Sequence, residues 1–140
     1  MRRWAWLLVV SVTLAVWVPT LGYDWVPHWD DGGLWLHNPF IRAWSVAWFF
    51  ETTLWGHWMP LTWLGATATY ALWGTNPAAW HGVNVGPQTV TAVLVYLIAR
   101  RLVGSDWGAV VAALVFAIHP LRMESVAWIT GRKDLLMGVG

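Results

Sequence analysis

The chain has no cysteine, which excludes a disulfide framework, thiolate chemistry and a cysteine-based zinc site. It is also poor in charge. Charged residues are 11% of its 140 residues, against about 25% in an ordinary soluble domain, too few to cover a water-facing globule. Its cations are sparse and dispersed and its formal net charge is +1, so a nucleic-acid partner is not expected. What fills the space is apolar: 58% hydrophobic residues and fifteen tryptophans. This composition implies an integral membrane protein. Tryptophan favours the membrane–water interface, where its ring is apolar and its N–H finds a polar partner. Trp25, Trp29, Trp35, Trp44, Trp48, Trp55 and Trp58 lie between apolar runs and predict segments resting on the bilayer surface.

The first apolar run, residues 4–21, carries no charge and follows Arg2 and Arg3. It is longer than the roughly 7–15 residues of a signal-peptide core, and "PTLGYDW" is a poor cleavage site. An uncleaved anchor with a cytoplasmic N-terminus is expected. A second run, 83–99, ends in "RRLVGSDW", and a third covers 107–121. The third is short: up to Ile118 it rises about 18 Å, against a hydrocarbon layer of roughly 30 Å. Gly86-Pro87 in the second run is expected to kink or delay its helix. A fourth run opens near 135, and the chain's end inside it predicts a fragment of a longer protein.

Thr52 to Trp73 is also uncharged, but a span there would put Arg100 and Arg101 outside, against the positive-inside rule. With three spans, Arg2, Arg3, Arg100 and Arg101 all fall inside. The expected fold is an all-α, multi-span membrane protein with external segments at 22–82, a large loop of interfacial helices, and at 119–134.

Two features of these segments invite chemistry. "VPHWDDGGLW" places Asp30 beside Asp31. The pair suits a helix cap or turn; it also suits a general base or a metal ligand, because neighbouring carboxylates resist ionising together. The second feature is a cluster of cations, Arg122, Arg132 and Lys133, on the face where cations are usually depleted. Either Arg122 pairs with Glu124 or Asp134 and anchors a short helix, or the cluster holds an anionic ligand, phosphate above all. His81 and His119 flank the ends of the second and third runs without HxxxH or HxH spacing, which favours interfacial hydrogen bonding over haem or metal ligation.

Three stretches resemble one family: "YDWVPHWDDGGLWLHNPFIRAWS", "MPLTWLGATATYALWGTNPAAWHGVNV" and "FAIHPLRMESVAWITGRKDLL". In order they carry an acidic pair with Asn38-Pro39, "PLTW" at 60–63, Asn76-Pro77 with His81 and Asn84, and the block His119 to Asp134. The pattern resembles the GT-C superfamily of multi-spanning glycosyltransferases. Within it the nearest group is the transmembrane O-mannosyltransferases acting on cadherins, with their bacterial tetratricopeptide-repeat relatives. Such enzymes have many more spans than this chain holds.

The resemblance implies transfer of a sugar, mannose or similar, from a polyprenyl-phosphate carrier to a Ser or Thr hydroxyl of a protein, at the external face of the bilayer. Asp30 is the first choice for catalytic base, with Asp31 supporting it or trading places. Arg122, Arg132 and Lys133 are the candidates for the lipid phosphate. Glu124 is implied as a second acid or an Arg-orienting partner, and His119 and His81 as hydrogen-bonding groups for phosphate or sugar. No metal site is implied, and metal dependence stays open. The 140 residues alone are expected to be inactive. Seven arginines to one lysine point to a GC-rich bacterial genome, hence an inner membrane rather than the endoplasmic reticulum. The competing reading is a non-catalytic membrane protein whose external loop binds a partner or anionic lipid. A transporter piece ranks last, because the spans hold no ionisable group.

Overall fold

The computed structural model describes residues 4–54 and 56–139. Arg2 and Arg3, on which the orientation of the first run rests, and Trp55 lie outside the described residues. The all-α expectation holds: among the described residues the chain is helical, with an isolated bridge between Leu54 and His57 as its only extended pairing.

Helix α1 (Ala5–Trp17) continues into a 3-10 turn at Val18–Gly22. Three short helical segments follow: a wide turn at Gly32–Leu36, then α2 (Pro39–Arg42) and α3 (Val46–Glu51). Beyond them lie α4 (Pro60–Trp73), α5 (Pro77–Val103), α6 (Asp106–Ile118), α7 (Arg122–Ala127) and α8 (Arg132–Val139). Two stretches, Ala5–Gly22 and Pro77–Val103, are long and apolar enough to cross a membrane, whereas α6 is shorter.

The "NP" pairs are helix starts. Asn38 and Asn76 cap α2 and α5 by accepting from the backbone N–H of Phe40 and Ala78, each at 3.0 Å. The prolines that follow take the first helical position, where no N–H is needed. Helix α5 therefore begins at Pro77, not near residue 83, and runs on through Gly86-Pro87 without a break. Pro87 removes one helical hydrogen bond, a loss that neighbouring helices make tolerable. The helix stops at Gly104, whose φ of +67° suits glycine. Ser105 then caps α6, and Arg100 closes the turn with a 2.7 Å salt bridge to Asp106. Helix α6 ends at Ile118 rather than 121, because Pro120 disfavours helical geometry at His119.

Helices α1, α5 and α6 pack as a bundle, with Ala5, Val9, Ala92, Tyr96, Ala109 and Ala113 at its centre. Small residues let the backbones approach closely. The start of α1 lies beside the start of α6, and Trp17 Nε1 at the other end donates to the Ala117 carbonyl at 2.8 Å. These two helices are thus parallel and α5 runs antiparallel to both, each of the three touching the other two.

Segments 23–81 and 119–134 gather at the Trp17 end of this bundle. Their core is aromatic: Trp35, Trp63 and Phe49 are buried with Trp80, and Trp25 and Trp48 pack against them. Trp35 is thus a core residue, and Trp25 and Trp48 are half-buried against that core. Trp29, Trp44 and Trp58 do remain exposed.

Candidate active site

Asp31 owes its position to Gly32. A Cβ at Gly32 would lie 2.2 Å from the Pro27 carbonyl oxygen, so only glycine lets the 26–32 segment fold back this tightly. The turn brings the Asp31 carboxylate to the backbone N–H of Val26, which donates to Oδ2 at 3.1 Å. The other oxygen, Oδ1, accepts from the Thr130 hydroxyl at 2.7 Å, and Thr130 accepts from Trp35 Nε1 at 2.9 Å. Asp31 is buried, and its side chain makes no cap to the helix it begins. Its bonds run across the fold instead.

Thr130 is delivered by the 119–134 segment. Gly131 permits the tight turn there, since a Cβ would meet the Glu124 carbonyl oxygen at 2.6 Å and Ser125 at 2.7 Å. Helix α5 carries a buried polar stripe, His81, Asn84, Gln88 and Thr91, at spacings that share one helical face, and Asn84 of this stripe holds the turn. Asn84 Nδ2 faces the carbonyls of Val126, Trp128 and Ile129 at 3.4, 3.0 and 3.4 Å. Gln88 donates to the Ala117 carbonyl at 2.9 Å.

Between these segments lies a cavity of about 430 Å³. Its lining is mostly apolar and includes the residues Asp24, Asp31, Glu124 and His81 with Tyr23, Trp29 and Trp128. Among the described residues no lysine or arginine lines it. His81 is only 2% exposed; among the described residues no side chain hydrogen-bonds its ring, and the Asp24 backbone is the one group that acts on it as a hydrogen-bond partner. The Asp31 and Asp24 carboxylates and the Arg132 guanidinium all act on it electrostatically, and the Tyr23 ring packs against it nearly at right angles, the ring centres 6.1 Å apart. A buried imidazole with no side-chain hydrogen-bond partner, beside a held carboxylate, has a ring nitrogen to offer a hydroxyl-bearing ligand.

The other expected site residues are spread out. Asp30 is half-buried and outside the cavity lining. Arg132 is 1% exposed and faces inward: it donates to Asn84 Oδ1 at 3.2 Å, Thr69 Oγ1 at 3.3 Å and the Trp80 carbonyl at 3.2 Å, and lies 4.7 Å over the Trp80 ring. Burial pushes its pKa down to about 10, which still leaves it charged at neutral pH. Lys133 lines a second, mostly apolar cavity of about 560 Å³ with Trp58, Met59, Leu136 and Met137. Arg122 lies 4.0 Å over Phe116 rather than pairing with Glu124 or Asp134. His119 is exposed near it, its Nδ1 accepting from the Leu121 N–H at 3.2 Å. The structure thus brings Asp31, His81 and Glu124 together and keeps Arg122, Arg132, Lys133 and His119 elsewhere. Among the described residues no group of three or more His, Cys, Asp or Glu is arranged to hold a metal ion.

The sequence does not mark Trp35, Thr130 or Asp24 as site residues, although all three fall within the family-like blocks. A lone threonine or tryptophan carries no spacing signal that separates it from its neighbours.

No family model matches the chain, and no solved structure matches it. Curated proteins do. The chain is 41% identical over 80 residues to the protein O-mannosyl-transferase Tmtc1 of Drosophila melanogaster, covering 57% of this chain and 9% of that protein. It is 34% identical over 120 residues to human protein O-mannosyl-transferase TMTC1, covering 76% of this chain and 14% of that protein. It is 28% identical over 147 aligned positions to protein O-mannosyl-transferase F38B6.6 of Caenorhabditis elegans, covering 95% of this chain and 21% of that protein. The chain therefore spans a fifth or less of the length of most of these relatives. As its motifs implied, this chain is a homologue of the TMTC protein O-mannosyl-transferases, matched along part of their length.

Proposed function

We propose that this chain is part of a membrane glycosyltransferase that moves mannose or a similar sugar from a polyprenyl-phosphate carrier to a Ser or Thr hydroxyl of a protein. The observation that carries this reading is the buried Asp31, held by hydrogen bonds beside a cavity it helps line, in a chain similar to protein O-mannosyl-transferases. The acceptor hydroxyl enters the cavity and its oxygen attacks the anomeric carbon. Its proton passes to an Asp31 oxygen as the bond to the carrier phosphate breaks, and the phosphate leaves with the bonding electrons. Each Asp31 oxygen accepts one hydrogen bond and so retains a lone pair for that proton. Asp31 is better supported than Asp30 for this role, because it lines the cavity and Asp30 does not.

His81 and Glu124 serve as hydrogen-bonding groups for the sugar or acceptor. The carrier phosphate, bonded to the same anomeric carbon, sits at the edge of this cavity and calls for a cation. Lys133, beside an apolar cavity suited to an isoprenoid chain, and Arg122 with His119 are the groups with charge to offer there. Arg132 holds the 128–134 turn instead. The two long apolar helices anchor the site at a bilayer, by this reading a bacterial inner membrane with the cavity facing the periplasm.

The test uses host membranes containing the protein as the host makes it, labelled polyprenyl-phosphate mannose and a Ser/Thr acceptor peptide. Label is expected in the peptide with the wild type and absent with the Asp30→Asn, Asp31→Asn double variant. Undiminished transfer by the double variant refutes the assignment of the chemistry to this pair.

A further inference from the structure

We propose that Thr130 is a positioning residue for the Asp31 carboxylate, with Trp35 fixing the direction of its hydroxyl. The inference rests on the reading of Asp31 as the base, and it concerns two residues to which that reading gives no part.

The argument is one of donors and acceptors. An indole N–H can only donate, and a threonine hydroxyl has a single hydrogen. Trp35 Nε1 lies 2.9 Å from Thr130 Oγ1, so the hydroxyl accepts there. Its one hydrogen is then committed to Asp31 Oδ1, 2.7 Å away. The chain Trp35 to Thr130 to Asp31 thus has one polarity, and its end must be an acceptor. All three residues are buried, so water does not compete for these bonds. Together with the Val26 N–H on Oδ2, the hydroxyl fixes the rotation of the carboxylate, and with it the direction of the remaining lone pairs. A general base works only when its lone pair is aimed at the proton it takes.

Thr130 is not needed to hold its own turn. Asn84 grips the carbonyls of Trp128 and Ile129, the residues just before it. Gly131, just after it, packs against the Glu124 and Ser125 backbone. Removing the hydroxyl therefore changes what Asp31 feels more than where the backbone runs.

The experiment compares Thr130→Val, Thr130→Cys and Thr130→Ser in the membrane transfer assay, at equal amounts of folded protein measured by size-exclusion chromatography in detergent. Thr130→Val keeps the shape and loses the donor: kcat is expected to fall about ten- to a hundred-fold with KM little changed, the signature of misaimed chemistry rather than lost binding. Thr130→Ser restores the donor and is expected to recover most of the wild-type kcat. Thr130→Cys, a weak donor of similar size, is expected to fall between them, and it carries the test if the valine variant does not fold. Wild-type kcat in folded Thr130→Val or Thr130→Cys overturns the proposal, and so does a serine variant as slow as the valine one. Failure of the wild type itself to transfer sugar is a separate result: it refutes the proposed transfer reaction, and the positioning role falls with it.

Discussion

Asn84 and Gln88 lie one helical turn apart on α5, both fully buried, and both donate to main-chain carbonyls. Replacing each with alanine separates two accounts of what holds the site. If lost volume decides, Gln88→Ala removes the larger side chain and costs more. If unsatisfied groups decide, the order reverses. The Ala117 carbonyl that Gln88 serves also accepts from Trp17 Nε1, so it stays bonded in Gln88→Ala. Asn84→Ala strips the side-chain donor from the Val126, Trp128 and Ile129 carbonyls and leaves the Arg132 Nε–H without its acceptor. A buried polar group left unpaired costs about 1–3 kcal/mol, more when charged. Two of the three contacts are long, so a total of about 2–4 kcal/mol is expected for Asn84→Ala, against about 1–2 kcal/mol for Gln88→Ala. Thermal unfolding in detergent reads the difference, and Asn84→Ala is expected to melt several degrees below Gln88→Ala. Equal midpoints, or the reverse order, refute the hydrogen-bond account of how α5 holds the 126–132 turn.

The glycines give a second set of tests. Gly32→Ala places a methyl group 2.2 Å from the Pro27 carbonyl oxygen, and folded yield should drop sharply; a variant that folds normally contradicts the close approach. Gly131→Ala meets backbone atoms at 2.6 and 2.7 Å and should lower the melting temperature severely, as read by the same thermal scan. Gly65→Ala, inside α4 with nothing within 4 Å of the new carbon, is expected to be neutral or to stabilise by about 0.5–1 kcal/mol through helix propensity; a marked loss there argues against the assigned helix.

The acidic pair was legible because charge is so scarce in this chain that two adjacent carboxylates stand out. Which of the two faces the cavity was not legible, because neighbouring residues on a tight helical turn point in different directions. The same geometry separates Arg132 from Lys133. In sequence they are one basic cluster, yet Arg132 turns into a cage of Asn84, Thr69 and Trp80 while Lys133 lines another cavity. The start of α5 was readable from Asn76-Pro77, a cap followed by a first-turn proline, but the apolar pattern that begins at Val83 drew the boundary later. The tryptophans are ambiguous for a physical reason: an indole serves an interface and a core equally well, and only tertiary packing distinguishes Trp35 from Trp29. Thr130 and Trp35 act through contacts 99 and 95 residues away in the chain, which no local pattern encodes.

The central claim is that a single carboxylate, Asp31, takes the acceptor's proton. The direct measurement is the mannosyl transfer rate of Asp31→Asn and of Asp30→Asn, each alone and each shown to be folded. Asp31→Asn nearly preserves shape and removes the base, so its kcat is expected to fall by about 10²–10⁴-fold, while Asp30→Asn, outside the cavity lining, should lose far less. Full activity in Asp31→Asn, or a larger loss in Asp30→Asn, contradicts the account.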